Sequence, residues 1–225
     1  MAAPVRVQQG ATATNSVNSA SRVYASNVTA GNYSVVVVWA FSTNVNLGTV
    51  TDSRSSTYTL RVKSNAGGAS YAALWTAPIG SAGACTVTFA TEVGEARDIV
   101  VAAIEVSVTG GTTLGVETSA GGIGVSATPT SGSLVTTLDT LLLAITNFNT
   151  FNTCTPGTGW TQIATTGFPQ QSSSLTTRTS AAGTYTASWT NSESIAWQVV
   201  AIALKEAAGA PAAVETVQPL VWMPV

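Results

Sequence analysis

With no histidine anywhere in 225 residues, any acid–base, nucleophilic or metal chemistry in this chain falls chiefly on ten carboxylates and two thiols. The carboxylates are Asp52, Glu92, Glu95, Asp98, Glu105, Glu117, Asp139, Glu193, Glu206 and Glu215. Missing histidine removes Ser-His-Asp and Cys-His nucleophiles and the usual catalytic zinc sites. A carboxylate pair of the glycosidase kind is then the remaining enzymatic option. None of the ten sits in a recognisable acid motif. Glu92, Glu95 and Asp98 flank Arg97 in what reads as a hairpin, where a solvated charge cluster accounts for them. Asp52 and Asp139 fall at turn positions, where an Asx-turn hydrogen bond gives each a structural role. A calcium loop needs several Asp or Asn oxygens within a few residues, and the nearest approach is Thr51-Asp52-Ser53. The sequence therefore predicts a non-enzyme with no catalytic residue, no metal and no cofactor.

Cys85 and Cys154 allow one disulfide and no disulfide framework. Cys85, inside the strand pattern Cys85-Thr86-Val87-Thr88-Phe89, reads as a small buried thiol, and Cys154 lies in a turn-rich segment. Trp39, Trp75, Trp160, Trp189, Trp197 and Trp222 raise the possibility of stacking on sugars. Trp160 and Trp189 are more simply core residues. Trp75, ahead of Thr76-Ala77-Pro78, is the best candidate for an exposed ring. Asn27-Val28-Thr29 and Asn32-Tyr33-Ser34 fit the glycosylation pattern, but Met1-Ala-Ala-Pro4 opens no basic and apolar leader, so the match is read as coincidence.

The elements that must position these groups are strands. β-branched and aromatic residues alternate with polar ones in runs 33–41, 57–62, 70–75, 85–90, 99–106, 140–147, 160–164, 175–179, 184–189 and 197–204, separated by Gly, Asn, Asp, Ser and Pro. No segment has a helical period. Strands at this spacing mean a sandwich or barrel.

The runs repeat. Val28 leading into Val35-Val-Val-Val38 and Phe41 matches Val135 leading into Leu142-Leu-Ala-Ile145 and Phe148, 107 residues on (135 minus 28). Tyr58 matches Trp160 at 102, Gly83 and Phe89 match Gly183 and Trp189 at 100, and Val100-Val-Ala102 matches Val199-Val-Ala201 at 99. The shift shrinks only between strands, as when two copies diverge by trimming loops. The expected architecture is all-β: a tandem pair of related antiparallel β-sandwich halves, jelly-roll-like, with an extended N-terminal arm and a C-terminal tail. The boundaries are 1–27 for the arm or first strand around Val5-Arg6-Val7, 28–107 for the first repeat and 108–132 for a connection whose Leu114 and Val116 alternation is compatible with a strand. The second repeat is 133–206, and 207–225 is a linker and apolar tail.

Charged residues are 8% of the chain against roughly 25% in an average soluble protein. Such a surface binds by shape, apolar contact and hydrogen bonds rather than by steering. A net charge of −2 without a basic run excludes nucleic acid as a main partner, and no apolar stretch reaches the roughly 18 residues of a membrane span.

The segments Val28-Thr-Ala-Gly-Asn32, Thr49-Val-Thr-Asp52-Ser53 with Tyr58-Thr-Leu60, Ala69-Ser-Tyr-Ala-Ala-Leu-Trp75 and Thr128-Pro-Thr-Ser-Gly-Ser133 resemble a β-sandwich module common in bacteriophage virion proteins and some secreted bacterial proteins. The resemblance covers roughly residues 20–206. It implies a virion structural protein made in the host cytoplasm, most concretely a decoration or cement protein on the outside of a phage capsid. The alternatives are a tail-fibre or receptor-binding module and a carbohydrate-binding or adhesion module. The expected partners are the major capsid protein or another virion protein, and further copies of the chain in a dimer or trimer. Residues 214–225 read as the anchor, with Pro219, Leu220, Val221, Trp222 and Met223 as the partner-binding residues, because so short an apolar segment cannot build a core of its own.

Overall fold

A computed structural model describes residues 2–10, 13–16, 19–41, 48–65, 70–91, 98–110, 112–148, 153–168 and 171–208. Among these residues every helix or strand element is a strand, and every strand pairing is antiparallel. The first half holds β1 (Val5–Gln9), β2 (Ala13–Ser16), β3 (Ser19–Val23), β4 (Tyr33–Phe41), β5 (Thr49–Asp52), β6 (Thr59–Asn65), β7 (Ser70–Pro78), β8 (Thr86–Ala90) and β9 (Asp98–Ser107). The second holds β10 (Thr112–Ser126), β11 (Leu134–Thr136), β12 (Thr140–Phe148), β13 (Cys154–Pro156), β14 (Thr161–Phe168), β15 (Gln171–Ser180), β16 (Gly183–Tyr185), β17 (Trp189–Asn191) and β18 (Ile195–Ala208). Two sheet groups result, consistent with two sandwich-like halves. One large sheet runs β1-β9-β4-β7-β6, with β2 continuing β1 along β9, and the other runs β10-β18-β12-β15-β14. The small sheet β3-β8-β5 belongs to the first half, and the pairs β11-β16 and β13-β17 to the second.

The long apolar runs exist because both faces of the large sheets are buried. Along β4, Val36, Val38 and Ala40 enter a core with Val87 and Phe89 of β8, while Val35, Val37 and Trp39 enter a second core with Leu141, Leu143 and Ile145 of β12. From β12, Leu142 and Ala144 face a third core with Trp160, Ala187 and Trp189. The molecule is thus a four-layer stack: small sheet, large sheet, large sheet, small sheets. A strand packed on two sides has no polar face, so continuous apolar sequence replaces alternation. Each such Val or Leu contributes roughly 1.5–3 kcal/mol of burial.

The two large sheets match strand for strand, and their ladders fix the correspondence. Val37 pairs with Ala102 and Leu74, and Ile145 pairs with Val200 and Leu175, which shifts β4 by 108, β9 by 98 and β7 by 101. The same shifts align the bulge at Arg61 in β6 with that at Ile163 in β14, and the bulge at Val7 in β1 with that at Glu117 in β10. The Val28↔Gly83 bridge maps onto the Thr136↔Gly183 pair. Sequence matching had put the first two shifts at 107 and 99. Their sum, 206, is unchanged, so both sets of matches fit the same ladder, but each strand is rotated by one residue and its faces exchanged. With apolar residues on both faces, nothing in the sequence pins that choice.

Two further expectations change. Most of the 108–132 connection is the 15-residue strand β10, the edge of the second large sheet. Within the expected arm, β1 and β2 pair with β9, and β3 pairs with β8. Glu206 holds the short crossing between halves, its Oε1 accepting from the Thr109 N–H at 2.6 Å and the Thr109 hydroxyl at 2.8 Å. Across the middle, β6 meets β10 and β18 on one side, and β1 reaches β14 through Gln9 Nε2 donating to the Ile163 carbonyl on the other. Since β1 corresponds to β10 and β6 to β14, these are equivalent contacts about a pseudo-twofold axis running along the strands.

Candidate functional site

The described acids are dispersed into structural roles. Glu105, fully buried on β9, accepts from Gln8 Nε2 at 2.5 Å, the Thr29 N–H at 2.8 Å and Asn32 Nδ2 at 2.6 Å, pinning β1 and the turn before β4. That bond occupies the Asn32 amide of the glycosylation tripeptide. Asp52 caps the turn after β5: its Oδ1 accepts from the Arg54 N–H at 2.9 Å and the Ser56 N–H at 3.0 Å, around Ser55 at φ 59°. Burial alone would raise the Asp52 carboxyl, but hydrogen bonds from Ser56, Arg54 and Tyr58 outweigh it and hold the group below the ordinary carboxylate range. Glu117 is held low in the same way, with Thr137 N–H and hydroxyl donors and Lys205 nearby outweighing desolvation. Among the described residues, no three Cys, Asp or Glu side chains gather as metal ligands would. Glu92, Glu95, Arg97, Glu215 and the anchor residues Pro219, Leu220, Val221, Trp222 and Met223 lie outside the described residues, as does the side chain of Asp98.

The aromatic expectations divide. Trp189 and Trp160 are core residues, Trp160 donating Nε1 to the Thr186 carbonyl at 3.1 Å. Trp75 is not an exposed ring: it is 5% exposed and packs against Phe89 with centroids 5.8 Å apart. The period-2 alternation of β7 turns it toward the first core, with Ala73. Cys85 and Cys154 are not joined in a disulfide. Cys85 belongs to the first outer core and Cys154 packs against the other, so both large sheets stand between them. Sheets stack about 10 Å apart, far beyond disulfide reach.

What remains accessible and chemically distinctive is a groove of about 500 Å³ at the end of the stack where β1 of the first half meets β14 and β15 of the second. Val5 and Arg6 line one side, and Leu141, Gly159, Thr161, Thr177, Arg178 and Thr179 the other. Arg178 is held from three directions. Its Nε donates to Ser180 Oγ at 2.8 Å, and its guanidinium lies 4.7 Å from the Tyr185 ring centroid, a cation–π contact. Gly159, at φ +82°, leaves the room: a Cβ there would stand 2.8 Å from Arg178 Nη1. Tyr185 is itself fixed by its hydroxyl donating to the Ala181 carbonyl at 2.7 Å. Among the described residues no acceptor meets either terminal nitrogen of Arg178, and none meets exposed Arg6. Sequence reasoning passed over this pair, because its members lie 172 residues apart (178 minus 6) and belong to no motif. The one local signal is an arginine within Leu175-Thr-Thr-Arg-Thr-Ser180, in a chain holding only 8 Lys and Arg.

Comparison with protein-family models, with curated proteins and with solved structures gives no significant match. Function must be argued from the chain's own residues and geometry.

Proposed function

We propose that this chain is a non-catalytic structural protein of a virus particle, of the decoration or cement kind that binds the outside of a phage capsid and stabilises it. The strand order carries the reading. The sheet β1-β9-β4-β7 opposite β3-β8-β5 follows jelly-roll order, with β6 joined to β7 instead of β5, and the second large sheet repeats it. Jelly rolls serve viral capsids and lectins alike. Fold does not assign function by itself, and composition supplies the second support: with 8% charged residues, one copy repels its neighbours weakly and packs by shape. The partners on this reading are the major capsid protein or another virion protein and further copies of the chain, with the apolar segment around Trp222 as anchor. A glycan- or receptor-binding module of a tail fibre is the second reading, favoured by the arginine groove.

The test is to image purified particles made with and without the gene, and to compare their thermal disruption. The protein is expected at regular positions on the capsid, and particles lacking it are expected to disrupt at lower temperature. Particles in which the protein is undetectable would sink the virion reading; density confined to the tail would select the second.

A further inference from the structure

We infer that the groove between β1 and the β14–β15 edge is a binding site for a carboxylate-bearing saccharide, with Arg178 on one wall as the fork for the carboxylate and Arg6 on the other wall adding positive charge. A guanidinium fork matches a planar carboxylate through two parallel hydrogen bonds, and it does so best when already oriented. Arg178 meets that condition. Ser180, Tyr185 and the missing side chain of Gly159 fix its plane, while the described residues leave both terminal nitrogens without an acceptor. Arg54 shows the contrast. Its guanidinium is consumed by the protein, Nε donating to the Ser81 carbonyl at 2.8 Å, Nη1 to the Ala84 carbonyl at 3.0 Å, and Nη2 to Ser81 Oγ and the Ala82 carbonyl. One arginine braces a turn; the other lines a groove.

The rest of the lining selects the ligand class. Thr161 and Thr179 offer exposed hydroxyls that both donate and accept, as sugar hydroxyls do, and exposed Val5 offers apolar surface to a ring's C–H face. The volume, about 500 Å³, lies within the range of ordinary small-ligand sites. Phosphate sites are built instead from backbone N–H groups at helix N-termini and nests, often with lysine, and no lysine lines this groove. The site is also not a by-product of the repeat. On the opposite edge, the positions equivalent to Arg6 and Arg178 hold Val116 and Ala77, at shifts of 110 and 101.

The experiment uses the purified full chain and is independent of whether that chain sits in a virion. Calorimetric titration with glucuronic acid, galacturonic acid and N-acetylneuraminic acid, alone and as short oligosaccharides, is compared with the neutral sugars glucose and galactose and with inorganic phosphate. At least one acidic saccharide is expected to bind, its neutral counterpart at least tenfold more weakly, with affinity falling as salt rises. Arg178→Gln and Arg6→Gln are each expected to weaken binding about tenfold or more, and Arg178→Lys to fail to restore it because the fork is lost. Arg6 is exposed on an edge strand, so Arg6→Gln stays informative even if an Arg178 variant misfolds. Absence of binding by every acidic saccharide, equal binding by phosphate or by a neutral sugar, or unchanged affinity in Arg6→Gln would each overturn the assignment.

Discussion

At Ser34 in β4 the first half carries a buried hydroxyl; 108 residues later, at the equivalent place in β12, the second half carries Leu142. The neighbours follow suit. Tyr58 corresponds to Trp160 at a shift of 102, and Glu105 to Ala203 at 98. In the first half a polar chain results, with Tyr24 and Ser34 hydroxyls 2.7 Å apart, Ser34 and Tyr58 2.8 Å apart, and Tyr58 donating to Asp52 at 3.0 Å. Burial pushes both phenols above the ordinary tyrosine range. In the second half the same space is apolar, filled by Leu142, Trp160 and Trp189. One fold thus tolerates two ways of closing an outer core. The hydrogen-bonded way ties strand to turn in a single geometry; the apolar way needs only volume, and leaves Arg178 free for the surface.

The largest expected effect tests what the halves share. Phe89→Ala and Trp189→Ala, at equivalent positions, should each cost ~3–5 kcal/mol. Because the middle core joins both sheets, urea melts should keep one cooperative transition in either variant. Two resolved transitions would show that the halves are independent units. A smaller effect isolates the polar chain: Ser34→Ala removes the link between Tyr24 and Tyr58 and should cost about 1–3 kcal/mol. Tyrosine fluorescence should report the change, and a variant as stable as the parent would mean the chain contributes nothing net.

The smallest effect concerns acid. The Asp52 carboxyl is depressed in the folded state, so its contribution is present above the unfolded value, about 3.9, and is lost as pH falls through the folded value. Glu117 plays this part in the second half. Asp52→Asn should flatten the loss of stability as pH falls below about 4, and Glu117→Gln should flatten it less, because the Glu117 bonds lie at an exposed edge. An acid limb unchanged by Asp52→Asn would place the titrating group elsewhere.

Much of the scaffold was legible because strand sequences speak through local pattern. The run ending at Phe89 and the match of Gly83 with Gly183 follow from residues a few positions apart, whereas the run expected at 184–189 divides into β16 and β17, with Trp189 opening the second. The facing of the central strands was not legible, since Val35-Val-Val-Val38 gives each side the same chemistry. β10 was hidden for another reason. Gly121-Gly-Ile-Gly124 reads as loop, yet Trp197 lies across that strand, and a Cβ at Gly124 would stand 2.8 Å from its ring. The groove was illegible in principle from local pattern, because only the stacking of the two large sheets puts Arg6 and Arg178 on the walls of one groove.

That stacking also sets an order of events during synthesis. When β9 leaves the ribosome the first half can close its outer core, but Val35, Val37, Leu74 and Ile104 face a partner sheet not yet made. Its last central strand, β18, comes about 100 residues later, which at roughly 5–20 residues per second is a delay of about 5–20 s. Throughout it the nascent chain presents a broad apolar sheet face, the surface on which holdase chaperones act and through which unfinished chains find one another. The pseudo-twofold middle of the finished molecule is thus also the most hazardous interval of its biogenesis.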